Sequence, residues 1–315
     1  MLRQAYAKAR HYTRPVVGVA RTVDGKCTSG IASFVVINRE GWILTAYHIL
    51  KTLAAIGELQ LKTQACSQSL ASKQADVALS PKKAEAKKKA LGPPPAPEDV
   101  EHCAVWWGSN DAKLVDAGGI EDIDLGVGRL EPFDPGSIAS YPVMKNTSKG
   151  YEPSVSLCKL GYPFYDVPVT WDNKANDFAC ASPDLAFPLF PIEGILTRFV
   201  RDPTLQGKQP YPLAQLETSS PGLRGQSGGP IFDTRGRLWG IQTATAHLPL
   251  GFEPEFMEHG KMRRQQQFLN VGRRVHCETI QGLLNQLGIK FELSKDQEFG
   301  GDVHRNWSHR LKQRT

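Results

Sequence analysis

The sequence lacks the features that mark membrane-spanning, secreted and zinc-binding proteins. No apolar run approaches the roughly 18 residues that a transmembrane helix needs. The N-terminus, MLRQAYAKARHYTRP, is basic but has none of the apolar core of a secretory signal. The six cysteines include no Cys-x-x-Cys pair, and their density is low for a disulfide scaffold. We therefore expect a cytoplasmic protein with reduced cysteines, no metal, no other cofactor and no membrane partner.

Composition and charge are those of an ordinary globular protein. The chain is 40% hydrophobic and 22% charged, which excludes a wholly disordered chain. Its 29 glycines and 22 prolines predict many turns and disfavour an all-α bundle. A net charge of +6 is modest for 315 residues, so we expect no specific nucleic-acid partner. The length predicts about two domains.

Hydrophobic periodicity indicates many short strands and one late helix. After a basic arm over residues 1–14, for which a helix is one interpretation, strand-like segments separated by Gly-containing turns predict an all-β architecture. They cover residues 16–20, 32–37, 42–45, 104–107, 124–130, 154–161, 194–200, 230–232 and 238–243. Residues 162–191 are interpreted as a long structured loop. Apolar residues at helical spacing predict a helix over 278–287, which ends before Gly288.

Residues 51–100 interrupt the strand pattern. The first part, KTLAAIGELQLKTQACSQSLASKQ, is compatible with a helix. The last part, ALSPKKAEAKKKALGPPPAPEDV, is rich in Ala, Lys and Pro and cannot bury enough apolar surface to order itself. We predict an exposed, mobile insertion that acts as a solvated spacer. A docking site for a regulatory protein of acidic character is the alternative.

Three short segments carry residues suited to catalysis. In the segment Gly225–Pro230, glycines flank Ser227, so a tight turn can present its hydroxyl and nearby N–H groups to a cleft. His48 follows a predicted strand, and Asp124 precedes one. Alone, each also fits a turn, a cap or a surface position. Asp122 is the rival to Asp124, and we prefer Asp124 because the apolar strand pattern begins immediately after it.

The order His, Asp, Ser is that of the chymotrypsin-type triad, and the sequence resembles trypsin/chymotrypsin-fold serine proteases. It is most similar to the protease domains of bacterial HtrA/Deg-like enzymes. The matching segments are Ser33–Val36, Gly41–His48, Asp124–Val127, Leu160–Pro163, Leu216–Thr218, Gly225–Pro230 and Gly240–Thr243. The resemblance covers about residues 15–290 apart from 51–100. No PDZ domain is expected, because too few residues follow Leu287.

The resemblance implies two antiparallel six-stranded β-barrels with the active site in the cleft between them. The first barrel would span residues 15–140. The second would span 141–290 with its C-terminal helix, and a basic tail would follow over 291–315. In this family the Ser attacks the carbonyl carbon, the His transfers the proton and the Asp orients the His. These roles fall on Ser227, His48 and Asp124, and the backbone N–H groups of Gly225 and Ser227 would form the oxyanion hole.

The same resemblance implies the position of a substrate pocket. One wall would contain Ser220, Pro221 and Arg224, and the other Thr243, Ala244 and Thr245. Pro221 stands where trypsin carries the Asp that selects Lys or Arg, and Gln242 stands where glutamate-selective members often carry His. We therefore expect a small or apolar side chain before the scissile bond. Gln226 replaces the Asp that binds a newly cut N-terminus in the digestive enzymes, so activation by N-terminal cleavage is not implied.

Three functions are consistent with the sequence. The first is a serine endopeptidase that cleaves a specific intracellular protein. The second is a catalytically silent or partner-activated protease fold that serves as a binding module. The third is nucleic-acid binding through residues 82–89 and the basic tail. The presence of all three triad residues favours the first.

Overall fold

The computed structural model describes residues 2–79, 93–109, 111–148, 152–180, 187–259, 261–264 and 267–295. The helices are α1 (Leu2–Tyr12), α2 (Tyr47–Leu79) and α3 (Cys277–Gln286). The strands are β1 (Thr13–Thr22), β2 (Cys27–Val36), β3 (Trp42–Ala46), β4 (Val100–Trp106), β5 (Lys113–Ile120), β6 (Leu125–Glu131), β7 (Val143–Met144), β8 (Ser156–Lys159), β9 (Val169–Asp172), β10 (Asp177–Cys180), β11 (Ile192–Val200), β12 (Gln215–Thr218), β13 (Pro230–Asp233), β14 (Arg237–Pro249), β15 (Glu255–Glu258), β16 (Lys261–Arg264), β17 (Phe268–His276) and β18 (Glu292–Leu293).

The first sheet has six strands in the order β4-β1-β2-β3-β6-β5, and every neighbouring pair is antiparallel. Apolar side chains of the central strands, Phe34 and Leu44 among them, are fully buried. Strand β3 ends at Ala46, which pairs with Leu125 at the beginning of β6. The residues that follow β3 and precede β6 therefore meet at one edge of the sheet.

The second sheet forms a closed barrel. Strands β13, β8, β11, β12, β17 and β14 are neighbours in that order, and the pairing of β13 with β14 closes the circle. Leu157, Leu196, Leu216, Ile231 and Trp239 form one of its buried clusters. The predicted double-barrel, all-β fold with a C-terminal helix is confirmed. The first sheet is a curled half-barrel, because no pairing joins β4 to β5 within the described ranges.

Most of the basic arm predicted over residues 1–14 forms helix α1, and this helix is packed against the core. Ala5, Ala9 and Tyr12 lie on one face of this helix and are buried in the main core. Alanine leaves little side-chain bulk between a helix and its neighbour, so α1 packs closely. The basic residues of the segment occupy its remaining surface. The N-terminal helix is therefore part of the folded body.

Helix α2 occupies the first part of the predicted mobile insertion. It begins at Tyr47, directly after β3, and continues to Leu79. Leu50 and Leu53 pack against the core, so its first turns lie against the first sheet. Residues 80–92, which include the lysine run, and most of the predicted tail lie outside the described residues. In the described part of the chain, no helix is both long enough and apolar enough to cross a membrane.

Candidate active site

The predicted histidine and aspartate form a tight pair at the edge where β3 ends and β6 begins. Nδ1 of His48 lies 2.7 Å from Oδ2 of Asp124. The other carboxylate oxygen, Oδ1, accepts from the backbone N–H of His48 at 2.7 Å. Because a carboxylate can only accept, Nδ1 carries the proton and Nε2 is left as the proton acceptor of the ring. One aspartate thus fixes both the position and the tautomer of the imidazole.

The two candidate aspartates, Asp124 and Asp122, have different partners. The carboxylate of Asp122 accepts from Nζ of Lys208 at 3.0 Å, whereas that of Asp124 contacts His48. Asp124 has φ 59°, in the left-handed region that Asp and Asn tolerate better than most residues. Asp124 adopts this conformation directly after a one-turn 3₁₀ helix, Glu121–Ile123.

Ser227 lies in a turn that is locked to both sheets. Its carbonyl accepts from the backbone N–H of Ser33 on β2 at 2.9 Å. The next residue, Gly228, donates to the carbonyl of Gln242 on β14 at 2.8 Å. Gly228 has φ +83°, and a Cβ there would lie 2.0 Å from the carbonyl oxygen of Ser33. Glycine is therefore the only residue that lets this turn approach the first sheet so closely.

The same turn presents two backbone N–H groups. Gly225 has φ +93°, and its carbonyl is held by Oγ of Ser33 at 2.7 Å and the N–H of Tyr162 at 3.1 Å. The N–H groups of Gly225 and Ser227 donate to no other group in the described part of the chain. Two such amides separated by one residue form a concave donor site for an anion.

Buried Gln226 supports this turn from within. Its Oε1 accepts from the N–H of Leu223 at 3.1 Å, and its Nε2 donates to the carbonyl of Phe190 at 3.3 Å. The backbone N–H of Gln226 also donates to the carbonyl of Leu223 at 2.9 Å. A neutral amide therefore holds the turn in place with partners from within the chain.

Ser227 and His48 line one cavity together with Gly225 and Arg224. The hydroxyl of Ser227 donates to the carbonyl of Thr243 at 3.5 Å, which is at the outer limit for a hydrogen bond. A rotation about its Cα–Cβ bond would redirect this weakly held hydroxyl. Catalytic hydrogen bonds are often long before substrate binds, so this geometry is compatible with a Ser-His pair.

Hydrogen bonds join the two walls of the predicted substrate pocket. Oγ1 of Thr245 accepts from the N–H of Gly222 at 2.8 Å and donates to its carbonyl at 2.9 Å. The side chain of Gln242 lies directly beneath Gly222, and its Nε2 donates to the carbonyl of Ala244 at 3.2 Å. These contacts join the wall that contains Pro221 to the wall of Thr243, Ala244 and Thr245, so the space between the walls is narrow.

Two buried basic residues that the sequence did not indicate donate hydrogen bonds to backbone carbonyls of the two walls. Nζ of Lys159 donates to the carbonyls of Ser220, at 2.9 Å, and Pro221. Arg274 donates to the carbonyls of Ala244, at 3.0 Å, and Ser220, at 3.4 Å. Burial, together with the nearby positive charge of Arg274, lowers the pKa of Lys159 to about 6. Burial also lowers the pKa of Arg274 to about 9.

The described residues contain no group of three or more His, Cys, Asp or Glu side chains placed to hold a metal ion. The site brings together the hydroxyl of Ser227, the paired side chains of His48 and Asp124, and the backbone amides of Gly225 and Ser227. These are the kinds of groups from which a nucleophile, a base, an orienting carboxylate and an oxyanion site can be built.

Comparisons with known proteins identify the family. The profile of the Trypsin-like peptidase domain matches residues 32–241, which is more than half of the chain. Among solved structures, the chain is similar to the HtrA-type protease AlgW, in an alanine variant with a tripeptide, at 15% identity and a TM-score of 0.45. That match covers 91% of this chain and 63% of the other. The chain spans less than two thirds of the length of that structure. No curated protein matches significantly. The family profile shows that the chain belongs to the trypsin-like peptidase family.

Proposed function

We propose that the protein is a serine endopeptidase that cleaves a specific intracellular protein through a Ser-His-Asp acyl-enzyme mechanism. The observation that carries the proposal is the placement of Ser227, His48 and the N–H of Gly225 around one cavity, with Asp124 behind His48. The free thiols of Cys27, Cys66, Cys103, Cys158 and Cys277 support a reducing compartment.

In this mechanism Oγ of Ser227 attacks the carbonyl carbon of the scissile bond while Nε2 of His48 takes its proton. The negative charge on the carbonyl oxygen is stabilised by the N–H groups of Gly225 and Ser227, and one such donor contributes on the order of 10²–10³ in rate. His48 then gives its proton to the leaving amine, and Asp124 stabilises the imidazolium. Water then attacks the acyl carbon while His48 takes its proton. The bond to Oγ of Ser227 breaks, and His48 returns the proton to Oγ. No cofactor takes part.

The proposed pocket binds the side chain before the scissile bond. Its wall residues are Ser220, Pro221, Arg224, Thr243, Ala244 and Thr245. The bridge between Gly222 and Thr245 supports a small side chain, because a long one would have to break two hydrogen bonds. Arg224 also lines the cavity that contains His48 and Ser227, so it contributes to both the pocket and that cavity.

Labelling with a fluorophosphonate probe tests the proposal, because the probe reacts only with an activated serine. We expect the wild type to be labelled and both Ser227→Ala and His48→Ala to be unlabelled. Ser140→Ala is the matched control: this hydroxyl donates to the carbonyl of Lys8, remote from the site, and labelling should be unchanged. Labelling that survives Ser227→Ala would refute the assignment of the nucleophile.

The second candidate is a catalytically silent or partner-activated binding module. One observation favours it: the hydroxyl of Ser227 donates to Thr243 and not to His48. In that case the pure protein is unlabelled, and a partner that docks on residues 51–100 restores labelling. Deletion of residues 80–92 would then abolish the activation by that partner without changing the labelling of the protein alone.

A further inference from the structure

A cavity of about 340 Å³ opens beside Ser227 between helix α2 and the β1–β2 hairpin. Its volume is about eleven times the ~30 Å³ that one water molecule occupies in the liquid. His48, Gly225 and Ser227 lie at its catalytic end. The rest of its wall is mainly apolar and includes Val16, Val19, Ile31, Ala32, Leu53 and Ile56.

Two paired glycines shape this space. Gly18 on β1 and Gly30 on β2 are direct cross-strand partners, and both line the cavity. A Cβ at Gly18 would lie 2.8 Å from Leu53 of α2, whereas a Cβ at Gly30 would meet nothing within 4 Å. Glycine in a strand interior weakens the strand and often marks a close approach of a ligand. Here Gly18 lets Leu53 of α2 pack close to β1, and the missing side chain of Gly30 leaves open space in the cavity.

Apart from Arg224, His48 and Ser227 at one end, the side-chain hydroxyls of the wall already form hydrogen bonds within the chain. Oγ of Ser29 donates to the carbonyl of Val167 at 2.7 Å, and Oγ1 of Thr52 donates to the carbonyl of His48 at 2.7 Å. The hydroxyl of Thr28 donates to the carbonyl of Ala20 at 3.5 Å. These side chains therefore offer methyl and methylene groups to the cavity, which suits an apolar occupant.

The cavity lies on the leaving-group side of the nucleophile. His48 lines it, whereas of the six residues proposed for the acyl-side pocket only Arg224, which adjoins the turn of Ser227, does so. In the proposed mechanism His48 gives its proton to the leaving nitrogen, so the residue that carries this nitrogen lies next to His48. We propose, on the basis of the proposed function, that the cavity binds a large apolar side chain, such as Leu or Phe, at the first residue after the scissile bond.

Aminolysis of the acyl-enzyme tests this site directly. The protein is acylated with the p-nitrophenyl ester of N-acetylalanine, and amino-acid amides compete with water for the acyl group. The amine nitrogen forms a bond to the acyl carbon, the bond to Oγ of Ser227 breaks, and the amine proton returns to Oγ through His48. The added amine occupies the position of the leaving residue. The product ratio is independent of how fast the acyl-enzyme forms.

We expect leucinamide and phenylalaninamide to outcompete alaninamide by about 10- to 100-fold, the size of the effect of burying one such side chain. Gly30→Leu fills the cavity and should reduce this preference to about threefold or less. Gly118→Leu is the matched control, because Gly118 is also a strand glycine with nothing within 4 Å of its Cβ position. It lies outside the cavity and should keep the wild-type preference.

The outcomes separate the two proposals. If the wild type forms an acyl-enzyme but leucinamide and alaninamide react equally, the cavity is not the leaving-group site, and the protease mechanism stands. The same conclusion follows if Gly30→Leu and Gly118→Leu show the same preference. If no acyl-enzyme forms on the wild type, both the mechanism and this inference are refuted. The wild-type comparison decides the matter even where a variant does not fold.

Discussion

Replacement of Asp124 by Asn tests the most specific feature of the site. Asp124 uses one oxygen for Nδ1 of His48 and the other for the backbone N–H of His48, each at 2.7 Å. An asparagine has only one acceptor oxygen. If that oxygen keeps the backbone N–H, its NH₂ group faces Nδ1, which must then accept. The proton of the ring moves to Nε2, and His48 can no longer take a proton from Ser227.

The expected loss is large, and the fold should survive. The equivalent change of tautomer in a Ser-His-Asp triad lowers the rate by about 10⁴, which is about 5.4 kcal/mol of transition-state stabilisation. Asn is nearly isosteric with Asp and tolerates the left-handed conformation found at Asp124, where φ is 59°. We therefore expect a thermal midpoint within a few degrees of the wild type.

The assay is the second-order rate constant for fluorophosphonate labelling. Asp122→Asn is the matched control, because Asp122 is two residues away and its carboxylate contacts Lys208 at the surface. Surface ion pairs contribute little, so this variant should react within about twofold of the wild type. A loss below tenfold for Asp124→Asn, or equal losses for both variants, would refute the assigned role of Asp124.

Three further predictions concern stability. Ala9→Asp puts an unpaired carboxylate into the core beneath α1 and should lower the free energy of unfolding by about 3 kcal/mol or more. Ala7→Asp, on the exposed face of the same helix, should change it by about 0.5 kcal/mol at most. Equal losses of the two variants in urea titrations would contradict the packing of α1. Burial lowers the pKa of His276 to about 3, below the ~6.5 of the unfolded chain, so only the unfolded state gains this proton between these pH values. The contribution of His276 to the free energy of unfolding should therefore fall by about 1.4 kcal/mol per pH unit as pH drops from ~6 to ~3.5. His276→Asn keeps a helix cap that does not titrate and should remove this pH dependence. An unchanged slope in the variant would contradict the buried, neutral state of His276. Gly228→Ala puts a Cβ 2.0 Å from the carbonyl oxygen of Ser33, at a positive φ, and should lower the free energy of unfolding by about 2 kcal/mol or more. A thermal midpoint equal to that of the wild type would show that the turn can move away from Ser33.

Much of the site could be predicted because its residues lie at the ends of strands with clear hydrophobic patterns. The apolar run that begins at Leu125 indicated Asp124 over Asp122, and the structure places Asp124 beside His48. The sequence could not give the hydrogen bond of Ser227, because the direction of a hydroxyl depends on contacts that form only when the barrels pack.

The buried cations illustrate what local sequence cannot show. Lysine and arginine are almost never fully buried without a partner, so Lys159 and Arg274 carry no local sign of burial. Their partners are backbone carbonyls far away along the chain: Ser220 is 54 residues from Arg274 and 61 from Lys159. Closure of the second barrel creates these contacts. The burial of helix α1 was not predicted for a different reason, because Ala5 and Ala9 contribute a weak hydrophobic signal.

Helix α2 joins the catalytic pair to the proposed leaving-group site through Asp124. The sequence indicated helical character only from residue 51, but the helix begins at Tyr47. It begins there because Asp124 accepts hydrogen bonds from the first two backbone N–H groups of the helix. Its carbonyl accepts from Tyr47 at 3.2 Å, and its carboxylate accepts from His48 at 2.7 Å. A carboxylate at a helix N-terminus also stabilises the helix electrostatically.

This double role of Asp124 has a consequence for the cavity wall. Leu53 and Ile56 lie within three turns of the capped end, so the aspartate that orients the imidazole also holds these two side chains in place. Asp124→Asn keeps an acceptor for the helix and should retain any preference for leucinamide in its residual aminolysis. Asp124→Ala removes the side-chain acceptor of the His48 N–H and should weaken that preference in its residual aminolysis. Identical preferences in the two variants would show that the helix start does not control the cavity.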